Sequence, residues 1–280
     1  MYMYATAKRA LLSIRTTQTG RHDRAMSASR TLRILSYNTH VCIKASNQSE
    51  SWKNIWQHVL PSQGKIATLE KISSFIRSFD MVGLQESDAG SIRSNFMNQT
   101  KYMARLGGFE YWADQVNRDW IFARHSMGFL SRYKIDSVSR HHLPGKIPGR
   151  GLMIARLAFG GEPLAFAVSH LSLGPRDRIR QANYIGDLIR DIGCKTILMG
   201  DFNCGSDSRE IAAIVKKTGL RPAGINIPTY PSWRPQRDLD HFLVSDGIII
   251  TKARVFDFTV SDHLPLAIEA VIPAKGAIAA

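Results

Sequence analysis

The sequence predicts a mixed α/β domain over residues 31–273, on three observations. Short apolar runs alternate with amphipathic stretches of helical period along this whole range. Some apolar runs follow each other directly, as 151–159 and 164–169 do across Gly160-Gly161, which is typical of a hairpin. No linker or low-complexity tract divides the range. We therefore expect a single domain whose sheets are mixed rather than purely parallel, with helices outside them.

Each element is assigned from the spacing of its apolar residues. The run 31–37 (TLRILSY) is short, apolar and ends at polar Asn38, so it predicts a buried strand. In 65–79 the apolar residues recur every three or four positions, which predicts an amphipathic helix. The polar stretch between them predicts a loop with a helical turn. The same criteria predict helices at 96–106, 178–192 and 208–218, and strands at 81–84, 129–130, 151–159, 164–169, 196–199, 239–244, 248–251 and 264–271.

The charge of the chain favours polyanionic partners. The 280 residues carry a formal net charge of +14 and are 44% hydrophobic, which is ample for a core. Residues 1–30 hold six Lys/Arg against one acid, Asp23, which leaves +9 for the remainder. This head can be a basic arm, a targeting segment or a disordered extension, with Met26 as an alternative start. We expect a disordered extension, because a secretory signal would need a compact apolar region that is missing here.

Three classes of protein are disfavoured by the same composition. Cys42, Cys194 and Cys204 are scattered and form no C-x-x-C pair, so neither a disulfide framework nor a zinc ribbon is indicated. A reducing compartment such as the cytoplasm is the simpler expectation. No apolar stretch approaches the about 18 residues that span a bilayer, so we expect a soluble protein.

Polar residues that can bind a metal ion or transfer a proton follow several of the predicted strands. They are Asn38, Glu86, His170, Asp201 with Asn203, and Asp262 with His263. Open α/β sheets place their sites at strand ends, so these side chains can converge on one crevice. Carboxylates with an amide oxygen suit a hard cation such as Mg²⁺ or Mn²⁺, which neutralises charge on phosphoryl oxygens. A histidine held by an acid can position or deprotonate water. The set predicts a metal-dependent hydrolase of phosphate esters.

Six short runs, in order, resemble the endonuclease/exonuclease/phosphatase superfamily. They are ILSYN (34–38), LQE (84–86), SHL (169–171), GDFN (200–203), LDHFLVS (239–245) and SDHLPL (261–266). The resemblance covers nearly all of the predicted domain. It implies a four-layer α/β sandwich like that of deoxyribonuclease I, in which two packed mixed β-sheets are flanked by helices.

The resemblance also implies a role for each polar residue. Glu86 would be the main metal ligand, with Asn38 beside it and Asp262 nearby. Asp201 would orient or activate the attacking water, Asn203 would hold a phosphate oxygen, and His170 would contact the scissile phosphate. Asp240 would pair with His263, and Arg150 would bind phosphate. Taken singly, each has a plainer explanation, since an acid after a strand is often a helix cap or a turn residue.

The resemblance is weaker at two places. In HSMGFLSRYKI (125–135), Ser126 and Met127 stand where the family commonly has glycine and asparagine, which leaves substrate contacts from that strand in doubt. The loop before Lys65 is long, and its Trp52 and Trp56 can either cover the site or belong to the core.

The substrate is less well defined by the sequence than the reaction. The loop 230–237 leads into Asp240, so Trp233 can stack on a base while Arg234 and Arg237 hold flanking phosphates. Alternatively it is a rigid proline loop whose tryptophan packs on the sheet. His170 stands where apurinic endonucleases typically carry tyrosine, which disfavours that branch. We expect a nuclease or general phosphodiesterase. The alternatives are a phosphatase or phospholipase-type enzyme on an inositol-phosphate or lipid head group, and, less favoured, a non-catalytic binding module. No protein partner is indicated.

Overall fold

A computed structural model describes residues 31–42, 63–224 and 226–273. The basic segment 1–30, Trp52 and Trp56 lie outside the described residues, so the expectations for them stay predictions. Of the helices described, none has the length and apolar character needed to cross a bilayer.

Four α-helices and twelve strands make up the described part of the chain. The helices are α1 (Gln63–Ile76), α2 (Gln99–Gly107), α3 (Pro175–Arg190) and α4 (Arg209–Thr218). The strands are β1 (Thr31–Asn38), β2 (Met81–Asp88), β3 (Tyr111–Asp119), β4 (Arg124–Ser131), β5 (Ser137–His142), β6 (Gly151–Phe159), β7 (Glu162–His170), β8 (Lys195–Asp201), β9 (Arg221–Pro222), β10 (Asp240–Val244), β11 (Ile249–Val255) and β12 (Leu266–Val271).

The strands form two mixed six-stranded sheets, which confirms the predicted fold class. Their orders are β11-β12-β1-β2-β4-β3 and β5-β6-β7-β8-β10-β9. Each sheet contains one parallel pair, β1 with β2 and β7 with β8, among antiparallel neighbours. Parallel neighbours end at the same edge of a sheet, so the two pairs bring four strand ends toward one side of the molecule.

Successive side chains of a strand face opposite sides of its sheet, and this alternation creates the separate apolar cores. In β1, Ile34 packs into the core between the two sheets, whereas Leu35 faces the core under α1 and α2. In β8, Met199 faces the inter-sheet core and Leu198 faces the core under α3 and α4. The result is a helix, sheet, sheet, helix sandwich with three apolar cores.

Several element boundaries differ from the predicted ones. The helix expected at 96–106 begins at Gln99 because the Asn98 side chain caps it, accepting a 2.9 Å hydrogen bond from the amide of Lys101. The helix expected from 178 begins at Pro175, a residue well suited to the first helical position. Strand β4 is longer than the predicted 129–130, and β3, β5 and β9 were not predicted at all.

Candidate active site

The register of the strands places the candidate residues side by side. In the second sheet, His170 at the end of β7 pairs with Asp201 at the end of β8, and Asp201 pairs in turn with Asp240. In the first sheet, Asn38 ends β1 next to the segment of β2 that carries Glu86. The two groups meet across the sandwich, because Asn38 Nδ2 donates a 3.0 Å hydrogen bond to Asp201 Oδ2.

Glu86 protrudes from an irregularity in its own strand. The pairing of β2 with β4 shifts between Leu84 and Ser87, and Glu86 adopts a left-handed conformation with φ of 52°. A positive φ in a non-glycine residue costs energy and is common at functional sites. The bulge turns the Glu86 side chain toward the strand ends of the other sheet, 3.7 Å from His170 Nε2.

The Glu86 carboxylate is a negative charge with few partners. No side chain or amide among the described residues donates a hydrogen bond to it, although the side chain is only 27% exposed. Burial acts to raise the pKa of Glu86, but the nearby positive charges of Arg150 and His263 lower that pKa below its usual value. A half-buried carboxylate that stays ionised without donors is well suited to a cation.

A buried ion pair supports the bulge from behind. The carboxylate of Asp88 accepts hydrogen bonds from the amides of Gly90 and Ser91 and from the hydroxyls of Ser91 and Ser94, and it bonds Arg93 Nε at 2.5 Å. Asp88 and Arg93 are almost completely buried. Burial acts to raise the pKa of Asp88, but Arg93 and the two serines lower it. The network fixes the chain directly after Glu86.

Asp201 is the central carboxylate of the site. Its Oδ2 accepts the bond from Asn38 and lies 3.4 Å from His170 Nε2 and 3.7 Å from His263 Nε2. Its Oδ1 accepts a 2.9 Å bond from the amide of Asn203. Burial is the main reason that the pKa of Asp201 rises to about 7. A carboxyl with that pKa can accept a proton near neutrality.

Glycine is required immediately before this carboxylate. Gly200 has φ of 148°, and a Cβ there would lie 1.9 Å from the carbonyl oxygen of Ser169 on the neighbouring strand. The chain can therefore bring Asp201 close to the end of β7 only with glycine at position 200.

His263 is held between two carboxylates. Its Nδ1 donates to Asp240 Oδ2 at 2.8 Å, and the same oxygen accepts a 2.6 Å bond from the Thr229 hydroxyl. Burial alone would lower the pKa of His263, but Asp240 and Asp201 outweigh it and raise the pKa to about 10. The ring is therefore cationic at neutral pH, with Nε2 directed toward Asp201.

His170 is in the opposite state. Arg150 Nη1 lies 2.6 Å from Nε2 and 2.7 Å from Nδ1 of its ring. Burial and then the charge of Arg150 lower the pKa of His170 well below its usual value, so the ring is neutral. With His170 neutral, Arg150 is the permanent positive charge beside Glu86.

A cleft of about 420 Å³ opens beside these residues. Glu86, Arg150 and His170 form one end of it, and the segment 146–150 and the turn before α3 form its walls. Arg118 and Lys146 also line it, so three cationic side chains, with Arg150, face two acids, Glu86 and Asp177. A cleft with this lining can admit an anionic group to the Glu86–His170 end.

Not every predicted residue joins this constellation equally. Asp262 is half-buried and lies at its edge, 3.8 Å from His40 Nδ1. The side-chain amide of Asn203 donates 2.9 Å to the carbonyl of Leu171, so one of its donors is already engaged. Trp233, Arg234 and Arg237 are exposed and do not line the cleft, although their loop docks on Asp262, whose carbonyl accepts a 2.7 Å bond from the amide of Ser232.

Two neighbours of His263 were missed by sequence reasoning. Tyr230 packs its ring on that of His263 with centroids 4.9 Å apart, and Thr229 bonds Asp240. The cleft wall 146–149 was also missed, whereas Arg150, which follows it, was predicted. A Thr-Tyr-Pro run and a Gly/Pro-rich loop carry no chemical signal of their own, and only the tertiary contacts show what they do.

Within residues 31–42, 63–224 and 226–273, one group of acids and a histidine is able to hold a metal ion. Asp201, Asp240 and His263 each offer a ligand atom, and these atoms lie within 4.8 Å of one another. Against that set, His263 is held protonated between the two acids, so its ring nitrogens are donors rather than metal ligands. Glu86 accepts no hydrogen bond from the residues that the structure describes, so it fits a cation better.

Comparison with known proteins agrees with this architecture. The family model described as Endonuclease/Exonuclease/phosphatase family matches residues 35–263. Among curated protein sequences, none matches the chain significantly.

Similar solved structures share the fold at low sequence identity. An endonuclease/exonuclease/phosphatase family protein from Bacteroides thetaiotaomicron is 19% identical with a TM-score of 0.67, covering 88% of this chain and 100% of that one. The mannosyl-6-phosphatase Bt3783 of the same organism is 19% identical with a TM-score of 0.63, covering 86% and 99%. Humanized D. rerio TDP2 is 16% identical with a TM-score of 0.62, covering 86% and 98%.

Proposed function

Because the chain belongs to the endonuclease/exonuclease/phosphatase family, we propose that it hydrolyses phosphate esters with the help of a divalent cation. The observation that carries the proposal is the arrangement of Asp201. Its carboxyl group, with a pKa of about 7, lies among Asn38, His170 and His263, and the ionised Glu86 also lies close to His170, 3.7 Å from its Nε2. A proton acceptor, a cationic donor and a cation ligand thus meet at one point.

The residues fit Mg²⁺ or Mn²⁺ at Glu86. Asn38 and Asp262 would be the neighbouring oxygen ligands. The Asn38 side-chain oxygen accepts a 3.0 Å bond from the amide of His40, and no second donor to it is found among the described residues, which leaves a lone pair for a cation. A bound cation of this kind neutralises charge on phosphoryl oxygens and stabilises the leaving oxygen.

The protein's own groups divide the remaining work. Asp201 would accept the proton of the attacking water while Asn38 fixes the position of its carboxylate. His263, kept cationic by Asp240, would donate from Nε2 to an oxygen of the substrate phosphate. Arg150 with neutral His170 would hold the scissile phosphate, and Asn203 would contact another of its oxygens.

A nuclease or general phosphodiesterase is the first candidate for the substrate class. The net charge of +9 that remains outside residues 1–30 suits a polyanion. Trp233, Arg234 and Arg237 are exposed on a loop that is bonded to the Asp262 backbone, so they can meet nucleotides flanking the scissile phosphate. Humanized D. rerio TDP2 shares this fold.

A phosphatase or phospholipase-type activity on a head group is the second candidate. The observation that favours it is apolar exposure at the mouth of the cleft, where Ile147 and Leu173 are 70% and 73% exposed. The fold is also shared with a mannosyl-6-phosphatase, so phosphomonoesters belong in the same comparison.

A substrate panel tests the reaction and the candidates together. The purified protein is incubated with plasmid DNA, RNA, bis-p-nitrophenyl phosphate and phosphoinositides, each with Mg²⁺ and with EDTA. We expect Mg²⁺-dependent hydrolysis, strongest on the nucleic acids and weakening steeply as salt is added. Activity confined to lipids would reject the first candidate, and activity that survives EDTA would reject the metal-assisted reaction.

A further inference from the structure

The turn between β3 and β4 exposes three large apolar side chains in a row. Trp120, Ile121 and Phe122 are 56%, 66% and 53% exposed. Tight turns ordinarily carry Gly, Asn, Asp or Pro, whose backbone and polar preferences suit water. An uninterrupted apolar turn is therefore a surface feature that folding alone does not explain.

The backbone of this turn is held in place. The carbonyl of Ile121 accepts a 3.0 Å bond from the amide of Ile92, and the carbonyl of Phe122 accepts a 3.1 Å bond from the Ser91 hydroxyl. Ser91 belongs to the buried network of Asp88 and Arg93. The three side chains are thus presented outward from a fixed support.

The turn is continuous with the mouth of the cleft. The guanidinium of Arg118 lies 3.7 Å from the centre of the Trp120 ring, and Arg118 also lines the cleft. Ile147 and Leu173 project from the cleft walls, and Phe96 follows the 91–95 turn that supports the hairpin. We call this surface the apolar rim; it consists of Phe96, Trp120, Ile121, Phe122, Ile147 and Leu173.

Positive charge surrounds the apolar rim. The three segments that carry most of it, 118–124, 146–150 and 173–180, contain few acids. Their basic residues are Arg118, Arg124, Lys146, Arg150, Arg176, Arg178 and Arg180. Three of these arginines, Arg124, Arg178 and Arg180, pair with Asp119, Glu210 and Asp177. Arg118, Lys146, Arg150 and Arg176 supply the remaining positive charge. Apolar side chains ringed by Lys and Arg complement the interface of an anionic bilayer, where apolar groups enter the acyl boundary and cations meet head groups.

We propose that the apolar rim docks the protein on an anionic lipid bilayer, with the cleft opening toward the membrane surface. A single-stranded nucleic acid is the competing occupant, because Trp120, Phe122 and Phe96 offer faces on which bases can stack. Ile121, Ile147 and Leu173 decide against it, since aliphatic side chains have no such face and would be placed against phosphates. The inference concerns where the protein binds and holds whichever phosphate ester it cleaves.

Vesicle flotation of the full-length protein tests the proposal. The vesicles contain phosphatidylcholine alone or mixed with phosphatidylserine. The rim variant replaces Trp120, Ile121 and Phe122 by serine. The matched control is Ile249→Ser, which removes an apolar residue of 52% exposure from β11, at the opposite edge of the same sheet. Circular dichroism and thermal melting of each variant verify folding, and bis-p-nitrophenyl phosphate hydrolysis reports the catalytic site separately.

The wild type and the control should float with the anionic vesicles and much less with phosphatidylcholine alone. The rim variant should bind the anionic vesicles at least about tenfold more weakly than the wild type, because three apolar side chains no longer leave water on binding. The tryptophan fluorescence emission of the wild type should shift to shorter wavelength on vesicle binding, and Trp120→Phe should reduce that shift. Three results would each overturn the proposal. The rim variant floats as well as the wild type, the wild type does not float, or the rim variant keeps vesicle binding and loses only the binding of single-stranded DNA.

Discussion

His263 donates a 2.8 Å hydrogen bond from Nδ1 to Oδ2 of Asp240, and that bond fixes the ring so that Nε2 points at Asp201. Asp240 is thus a positioning residue in our account, since it acts through His263 rather than on the substrate. The two residues are 23 positions apart and belong to separate elements, β10 and the turn before β12. The contact therefore exists only in the folded chain.

Replacing Asp240 should separate positioning from binding. Asp240→Asn keeps the size of the side chain but removes the charge that makes His263 cationic. We expect kcat on a phosphodiester to fall by roughly 10²–10⁴-fold with a smaller change in KM. Steady-state kinetics against pH check this, with the exposed Asp257→Asn as control. An unchanged kcat and pH profile would remove His263 from the proposed mechanism.

The charge of His263 should also appear in the pH dependence of stability. The folded-state pKa is raised to about 10 from an ordinary value of 6.5. The stabilisation is therefore fully present below pH 6.5 and is lost as the pH rises toward 10. The free energy of unfolding of the wild type should exceed that of His263→Gln by a few kcal/mol near pH 6, and the difference should shrink toward pH 9.5. Urea unfolding in EDTA measures it; a difference that grows with pH would contradict the assignment.

The Asp88–Arg93 pair should be important for stability. Asp88→Ala leaves the guanidinium of Arg93 buried without its partner, so we expect the free energy of unfolding to fall by about 3–5 kcal/mol. The control is Asp119→Ala, which breaks an exposed pair with Arg124 and should cost less than about 1 kcal/mol. Chemical denaturation compares the two, and equal losses would show that the buried network does not stabilise the Glu86 bulge.

Arg150 should affect substrate binding more than it affects folding. Arg150→Ala removes the only guanidinium in contact with His170 among the described residues, and we expect KM to rise by about tenfold or more. Arg150→Lys should restore little, because an ammonium lacks the planar fork of donors. Arg156→Ala, on an exposed position of β6, is the control. A KM that matches the wild type would exclude Arg150 from phosphate binding.

The sequence predicted an element well where its apolar pattern is clear and poorly where polar or exposed residues hide that pattern. Strand β6 was predicted to its exact bounds, because 151–159 is a mostly apolar run, interrupted only by Arg156, between a proline loop and a glycine pair. In β3, the inward positions Gln115 and Asn117 are polar, so the alternation of a strand is hidden. In β5, an edge strand, most side chains are exposed and no apolar face forms.

The candidate site was predicted as residue types but not as a geometry. Asn38, His170, Asp201, Asp240 and His263 follow or begin short apolar runs, and the structure brings them into one chain of contacts. The state of each group depends on burial and neighbours, which the sequence does not contain. The contrast between cationic His263 and neutral His170 arises from Asp240 on one side and Arg150 on the other.

The role of Glu86 is the central claim of this account, and a titration of hydrolysis with Mg²⁺ tests it most directly. Rates on bis-p-nitrophenyl phosphate are measured against Mg²⁺ concentration for the wild type, Glu86→Gln and the exposed control Glu70→Gln. We predict saturable Mg²⁺ activation in the wild type and the control. Glu86→Gln should be activated only at much higher Mg²⁺ concentrations, or not at all. A Glu86→Gln curve that overlays the wild type, or hydrolysis by the wild type that persists in EDTA, would contradict the account.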